Sequence, residues 1–176
     1  ASLGLSLVRI QAAEENRLRI GAMSMIHNRI FDHDSQVVEL SQYIPDVVSG
    51  ILYAYGCQHI TPDYQLDHVR LDTSRTVSLG LILTELVTNA CKYAFADHPD
   101  PTLAVTCRRS GGSVEFMVAD NGPGFDFSSV SDHSFDPSAS LGLSLVRIQA
   151  EQLYGQFAFS HQGGTTFTMI FKDQPA

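Results

Sequence analysis

The segment from Asp72 to Phe95 constrains the fold most, because it combines a long helical pattern with three polar side chains on one face. Glu85, Asn89 and Lys92 are four and three residues apart, so they project from the same side of a helix. The apolar residues recur at helical spacing and predict one continuous helix. They are Leu79, Ile82, Leu83, Leu86 and Val87.

A carboxylate, an amide and an ammonium side by side suit a metal-bound triphosphate better than they suit packing. The amide oxygen of Asn89 is the kind of hard ligand that Mg²⁺ prefers. Lys92 can pair with phosphate, and Glu85 can orient or deprotonate an attacking group. A solvated polar stripe is the alternative interpretation of this helix taken alone.

A second motif, D-N-G-P-G-F, runs from Asp120 to Phe125 directly after a predicted strand. Asp120 ends that strand and can accept a hydrogen bond from an exocyclic amine such as that of adenine. Gly122 and Gly124 let the backbone pass close to a ligand, because glycine has no Cβ. An ordinary Asn-Gly turn would give the same letters.

The third motif, S-L-G-L-S-L-V, covers Ser140 to Val146, where the predicted loop meets a predicted helix. Gly142, flanked by Leu141 and Leu143, would offer free N–H groups and the positive end of the helix dipole to phosphate. The alternative is a serine N-cap on a core helix.

The fourth motif, G-G-T-T-F, covers Gly163 to Phe167 and is a hairpin turn. A threonine hydroxyl after this turn, from Thr165 or Thr166, can still reach a base pocket.

Other segments predict an α+β two-layer sandwich with a mixed sheet and helices on one face. An amphipathic helix or helix pair is predicted over residues 5–31, with a break at 31–35. The remaining predicted elements are a helix over Leu40–Tyr55, strands over Tyr64–Leu71, Leu103–Arg108 and Val114–Val118, a loop over Asn121–Ser138, a helix over Leu141–Tyr154, and a hairpin of Gln156–Ser160 with Thr165–Phe171. The first helix carries an apolar stripe of Tyr43, Val47, Ile51 and Tyr55. The sequence SGGS at 110–113 predicts a hairpin turn between the strands that flank it.

The order of the four motifs resembles the ATP-binding domain shared by gyrase, heat-shock chaperones, mismatch-repair ATPases and histidine kinases, over about residues 60–172. The resemblance implies a Bergerat-type ATP-binding fold holding ATP and Mg²⁺, with Asn89 on the metal, Asp120 on adenine and residues 121–139 as a lid. The further nucleotide contacts that it implies are Lys92, Tyr93, Gly122, Gly124, Leu141, Gly142, Leu143, Thr165 and Thr166.

Within that family, N-A-C-K-Y-A-F at the end of the long helix is similar to sensor histidine kinases with a short lid. Residues 19–31 and 37–44 resemble the second helix of a dimerisation hairpin and its link to the catalytic domain. We therefore expect residues 1–56 to be a partial helical dimerisation and linker region, and 57–176 the ATP-binding catalytic domain. His27 matches a second-helix histidine and is not assigned as the phospho-acceptor.

The resemblance implies transfer of the ATP γ-phosphoryl group to a histidine in two-component signalling, with Glu85 as the candidate base. The implied partners are a response regulator receiver domain and a second copy of the full-length protein. The alternatives are a nucleotide-binding regulator without turnover, an ATPase, and a protein-serine kinase of the same superfamily.

Charge and cysteine content limit the binding partners and the cellular compartment that we expect. A net charge of -8 disfavours binding to nucleic acid or to an anionic membrane surface. Three cysteines without a CxxC pair predict neither a disulfide framework nor a zinc site, so we expect a cytoplasmic protein or the cytoplasmic part of a membrane sensor. Residues 1–12 repeat residues 139–150 identically, and no function is assigned to the repeat.

Overall fold

The computed structural model describes residues 37–124 and 137–173, together with helical positions 13, 14, 17, 20, 21, 24 and 28. The rest of the predicted N-terminal helices, the break at 31–35, the first copy of the repeat and lid residues 125–136 lie outside the described residues. The elements are β1 (Val37–Glu39), α1 (Leu40–Ala54), β2 (Asp63–Leu66), β3 (Arg70–Asp72), α2 (Thr73–Asn89), a π-helical turn (Ala90–Ala94), β4 (Leu103–Ser110), β5 (Ser113–Asp120), α3 (Pro137–Gln152), β6 (Gln156–Ser160) and β7 (Thr166–Lys172).

A mixed five-stranded sheet forms one layer, as predicted. Its strand order is β2-β4-β5-β7-β6; β2 runs parallel to β4, and the other neighbours are antiparallel. A second, two-stranded sheet joins β1 to β3. Gly111 and Gly112 both have positive φ, which is the geometry of the tight hairpin predicted between β4 and β5.

The core lies between the five-stranded sheet and the helices, with α2 packed against both α1 and α3. Alternate residues of β5 and β7 are buried, as the two-residue period of a strand requires: Val114, Phe116, Val118, Phe167, Met169 and Phe171. The rings of Phe116 and Phe167 meet edge to face with centroids 6.5 Å apart. On α1 the predicted apolar stripe is buried at Tyr43, Val47 and Ile51.

The prediction of one continuous strand over Tyr64–Leu71 is wrong. This segment forms two strands, β2 and β3, which belong to different sheets. Between them, the N–H of Asp67 donates to the carbonyl of Cys107 at 2.8 Å, and the Asp67 carboxylate accepts from the N–H of Arg109 at 2.8 Å. The carbonyl of Val69 accepts instead from the N–H of Leu40, at the start of α1. The bend therefore carries the chain from one sheet to the other.

The long helix differs from its prediction at both ends. Asp72 is its N-cap, not its first helical residue, and accepts hydrogen bonds from the N–H of Arg75 at 3.0 Å and the hydroxyl of Ser74 at 2.8 Å. After Asn89 the α-helix gives way to the π-turn, where the N–H of Phe95 donates to the carbonyl of Ala90 at 3.0 Å. None of the described helices is both long and apolar enough to cross a membrane.

Candidate functional site

A cleft opens where the C-terminal end of α2 and the π-turn face the ends of β5 and β7. Its empty volume, including its open mouth, is about 640 Å³. The wall combines apolar side chains with a few polar groups, which is the composition of a small-molecule site. The lining residues are Leu86, Asn89, Tyr93, Ala94, Val118, Asp120, Pro123, Gly124, Leu143, Phe159 and Thr165.

Asp120 is the acidic side chain of this wall, and its orientation is fixed by the backbone. Its Oδ1 accepts hydrogen bonds from the N–H of Gly122 at 2.9 Å and the N–H of Thr165 at 3.1 Å. The N–H of Asp120 donates in turn to the carbonyl of Thr165 at 2.9 Å. Within the described residues its Oδ2 accepts no hydrogen bond, so one carboxylate oxygen is left for a ligand donor.

Glycines make the close packing of this region feasible. A Cβ on Gly122 would lie 2.4 Å from the Cβ of Ala94, so Gly122 allows the end of β5 to approach the π-turn. A Cβ on Gly164 would lie 1.8 Å from the carbonyl oxygen of Asp120. Gly124 lines the cleft and has a φ of +79°, a conformation that favours glycine. Gly122 thus contacts protein, whereas Gly124 borders the cleft.

Of the four polar residues predicted for the site at the end of the long helix, two line the cleft and two do not. Asn89 and Tyr93 line the cleft, and Tyr93 is 53% exposed. Glu85 is buried at 2% exposure and is not part of the lining. Lys92 lies in the π-turn, three residues after Asn89, and its Nζ is 5.3 Å from the centroid of the Tyr93 ring. The structure therefore brings Asn89 and Tyr93 together at the cleft, while the roles of Glu85 and Lys92 stay predictions.

The predicted position of Gly142 at a helix start is wrong, because α3 begins at Pro137 and Gly142 lies in its second turn. Its N–H is therefore not one of the free groups of a helix N-terminus. Leu143 lines the cleft, and the side chain of Leu141 lies outside the described residues. Of the two threonines after the turn, Thr165 lines the cleft, whereas Thr166 begins β7 opposite Ala119 and does not.

Five lining residues were not identified from the sequence: Leu86, Ala94, Val118, Pro123 and Phe159. Two of them had a usable signal. Val118 precedes Asp120 by two residues and so faces the same side of β5, and Leu86 precedes Asn89 by three residues on α2. Phe159 had no such signal, because it lies in β6, outside the four motifs.

Beside the cleft, Cys91 occupies the π-turn with a buried thiol. Burial and a hydrogen bond with Cys57 raise the pKa of this thiol far above its ordinary value, so it is neutral near pH 7. Among the described residues, no group of three or more His, Cys, Asp and Glu side chains is placed to hold a metal ion.

Two curated proteins are similar to this chain in sequence. Blue-light-activated histidine kinase 2 of Erythrobacter litoralis is 22% identical over 181 residues, covering 94% of this chain and 51% of the relative. The nitrate/nitrite sensor protein NarQ of Escherichia coli is 32% identical over 116 residues, covering 64% of this chain and 19% of that protein. The chain thus spans about half, or less, of the curated relatives that it matches.

Solved structures share the fold. The histidine kinase domain from Erythrobacter litoralis EL346 superposes with a TM-score of 0.73 at 20% identity, covering 97% of this chain and 84% of that one. The mycobacterial sensor histidine kinase MprB gives a TM-score of 0.63 at 18% identity, covering 80% of this chain and 99% of that one. At these identities the likeness concerns the fold alone.

A match to a family model identifies the family, and this match covers the long helix, the cleft and the last strand. The family model described as "Histidine kinase-, DNA gyrase B-, and HSP90-like ATPase" matches residues 75–175, more than half of the chain. With relatives named as histidine kinases, the protein belongs to the histidine kinase-, DNA gyrase B- and HSP90-like ATPase family and contains an ATPase domain of the histidine kinase type.

Proposed function

We propose that the chain binds ATP in this cleft, with Asp120 accepting a hydrogen bond from the exocyclic amine of adenine. The observation that carries the proposal is the state of the Asp120 carboxylate: two backbone N–H groups hold Oδ1, and Oδ2 has no hydrogen bond within the described residues. An ionised carboxylate only accepts hydrogen bonds, so it favours an amino group over a carbonyl at that position of a purine. Tyr93 and Leu143 give this wall aromatic and apolar area for a base.

Mg²⁺ fits the donor chemistry of the same wall. Asn89 brings an amide oxygen to the cleft, and Mg²⁺ in nucleotide sites is held by few protein oxygens together with phosphates. In the proposal Asn89 holds the ion and Lys92 pairs with phosphate. The bound ion would neutralise charge on the phosphates. The other nucleotide contacts proposed are Tyr93, Gly124, Leu141, Leu143 and Thr165.

The proposed reaction is transfer of the ATP γ-phosphoryl group to a histidine of a partner segment or partner chain. Glu85 lies one turn before Asn89 on α2 and is the proposed base. The names of the relatives support a kinase, since they are called histidine kinases or sensor proteins. In that role the full-length protein forms a homodimer, and a response regulator receiver domain takes the phosphoryl group onto an aspartate.

Calorimetric titration tests nucleotide binding. ATP with Mg²⁺ is titrated into the wild type, Asp120→Asn and Asn89→Ala, with Glu115→Gln as the matched control because Glu115 is exposed on the same strand. Loss of a hydrogen bond to a charged group costs about 1.5–3 kcal/mol, so Asp120→Asn should bind ATP about 10- to 100-fold more weakly. Equal affinities of Asp120→Asn and Glu115→Gln would refute the assigned site.

The chemistry is tested with γ-labelled ATP and a separate histidine-bearing helical segment. Label that is lost in acid and kept in alkali identifies phosphohistidine and supports the kinase. Label on serine, which is stable in acid, identifies a protein-serine kinase instead. Steady release of free phosphate without a protein acceptor identifies an ATPase, and binding without any transfer identifies a nucleotide-binding regulator.

A further inference from the structure

Asn121 stands between Asp120 and Gly122, and its side chain bonds to a distant part of the backbone. Its Oδ1 accepts a hydrogen bond from the N–H of Thr102 at 2.8 Å, and its Nδ2 donates to the carbonyl of Asp100 at 2.8 Å. The partners are 19 and 21 residues away in sequence. Asn121 is therefore a tertiary clamp, unlike an Asx turn, whose side chain bonds its own neighbourhood.

The clamp joins the end of β5 to the loop that leads from the π-turn to β4. Thr102 directly precedes Leu103, the residue paired with Asp120 at the end of the β4–β5 ladder. The segment that contains Asp100 and Thr102 is also the continuation of the π-turn. Asn121 consequently extends the ladder by one step and ties the strand that carries Asp120 to the chain leaving the turn that carries Tyr93.

This position gives Asn121 control over the direction of the Asp120 carboxylate. The peptide that links Asn121 to Gly122 supplies one of the two N–H groups that hold Oδ1. Without the clamp, the Gly122 N–H loses its fixed position, and the carboxylate keeps only the donor from Thr165.

We propose that Asn121 is a positioning residue that aims the Asp120 carboxylate at the amino group of the base and thereby sets the preference for 6-amino over 6-oxo purine nucleotides. This inference rests on the proposed function. Asn121 acts through Asp120 and is not itself a ligand of the nucleotide. Its loss should therefore lower affinity for ATP selectively, and not affinity for every nucleotide.

The test is a comparison of ATP with inosine triphosphate, whose 6-oxo group cannot donate to Asp120. Both are titrated with Mg²⁺ into the wild type, Asn121→Ala and the control Gln156→Ala, an exposed amide at the start of β6. Misplacing a charged hydrogen bond should weaken ATP binding by Asn121→Ala about tenfold, with inosine triphosphate changed less than about twofold. The control should keep the preference of the wild type.

Asn121→Asp serves as a second variant, because it keeps the acceptor for Thr102 and replaces the donor to Asp100 by a carboxylate oxygen, whose added charge acts on both nucleotides alike. It should show the same selective loss, and thermal melts check that both variants are folded. If the variants bind ATP and inosine triphosphate with equal losses, or with none, the inference is overturned while the ATP site stands. If the wild type itself does not bind ATP, the proposed function fails and this inference with it.

Discussion

Replacing Gly164 by alanine should separate the turn before β7 from the end of β5. Gly164 has a φ of +134°, and its Cβ would lie 1.8 Å from the carbonyl oxygen of Asp120 and 2.8 Å from the Cα of Asn121. Real Cβ atoms essentially never approach closer than 3.0 Å, so the two backbones must move apart by about 1.2 Å.

A movement of this size removes two hydrogen bonds. The N–H of Thr165 leaves Asp120 Oδ1, now at 3.1 Å, and the N–H of Asp120 leaves the Thr165 carbonyl, now at 2.9 Å. With partial relaxation, these two bonds and the strain of a non-glycine residue at that φ should cost about 3–5 kcal/mol of unfolding free energy. The affinity for ATP should fall as well, because Asp120 loses one of its two orienting donors.

Gly163→Ala is the matched control. Gly163 has a φ of +74°, but nothing lies within 4 Å of its Cβ position, so it should lose only about 1–2 kcal/mol from the left-handed backbone. Equilibrium unfolding in urea measures both variants. Equal losses for the two variants would refute the steric argument, and so would unchanged ATP affinity in Gly164→Ala.

Three further changes test other parts of the structure. Asp72→Ala removes the N-cap of α2 and should cost about 1 kcal/mol near neutral pH, measured by urea unfolding. Burial raises the pKa of Asp72, but the N–H of Arg75 and the hydroxyl of Ser74 outweigh it and lower that pKa; this stabilisation therefore exists above the ordinary carboxyl pKa and should shrink as pH falls through the lowered one. Phe116→Ala should lose about 3–5 kcal/mol in the same assay, because the fully buried ring leaves a cavity; a loss below about 1 kcal/mol would contradict its place in the core. Burial raises the pKa of Cys107 to about 12, so iodoacetamide at pH 8 should label this thiol only after unfolding, as read by peptide mass spectrometry.

Local patterns predicted the elements whose cause is local. The Gly-Gly pair fixed the β4–β5 hairpin, because positive φ at two successive residues is a property of those residues. The apolar stripe on α1 is predictable because its helical spacing depends only on the sequence of that helix. Six residues named from the sequence line one cleft: Asn89, Tyr93, Asp120, Gly124, Leu143 and Thr165.

The elements that the sequence did not predict depend on distant partners. β1 has three residues and exists only through its pairing with β3. The π-turn has the composition of an α-helix, and its position beside Gly122 becomes evident only when the end of β5 packs on Ala94. The sequence predicts the start of α3 at Leu141 because the preceding residues lack periodicity, yet the helix begins at Pro137, where proline is favoured in a first turn.

The strand pairing also sets the order in which the site can form during synthesis. β5 emerges from the ribosome between its neighbour in sequence, β4, and its other partner, β7, which is the last strand described. The N–H that Thr165 gives to Asp120 comes with that last strand. While β7 is still inside the ribosome, the Asp120 carboxylate of the nascent chain therefore lacks the N–H donor that Thr165 supplies. Because pairing between strands so far apart in sequence is slow, the cleft should be among the last parts of this domain to mature.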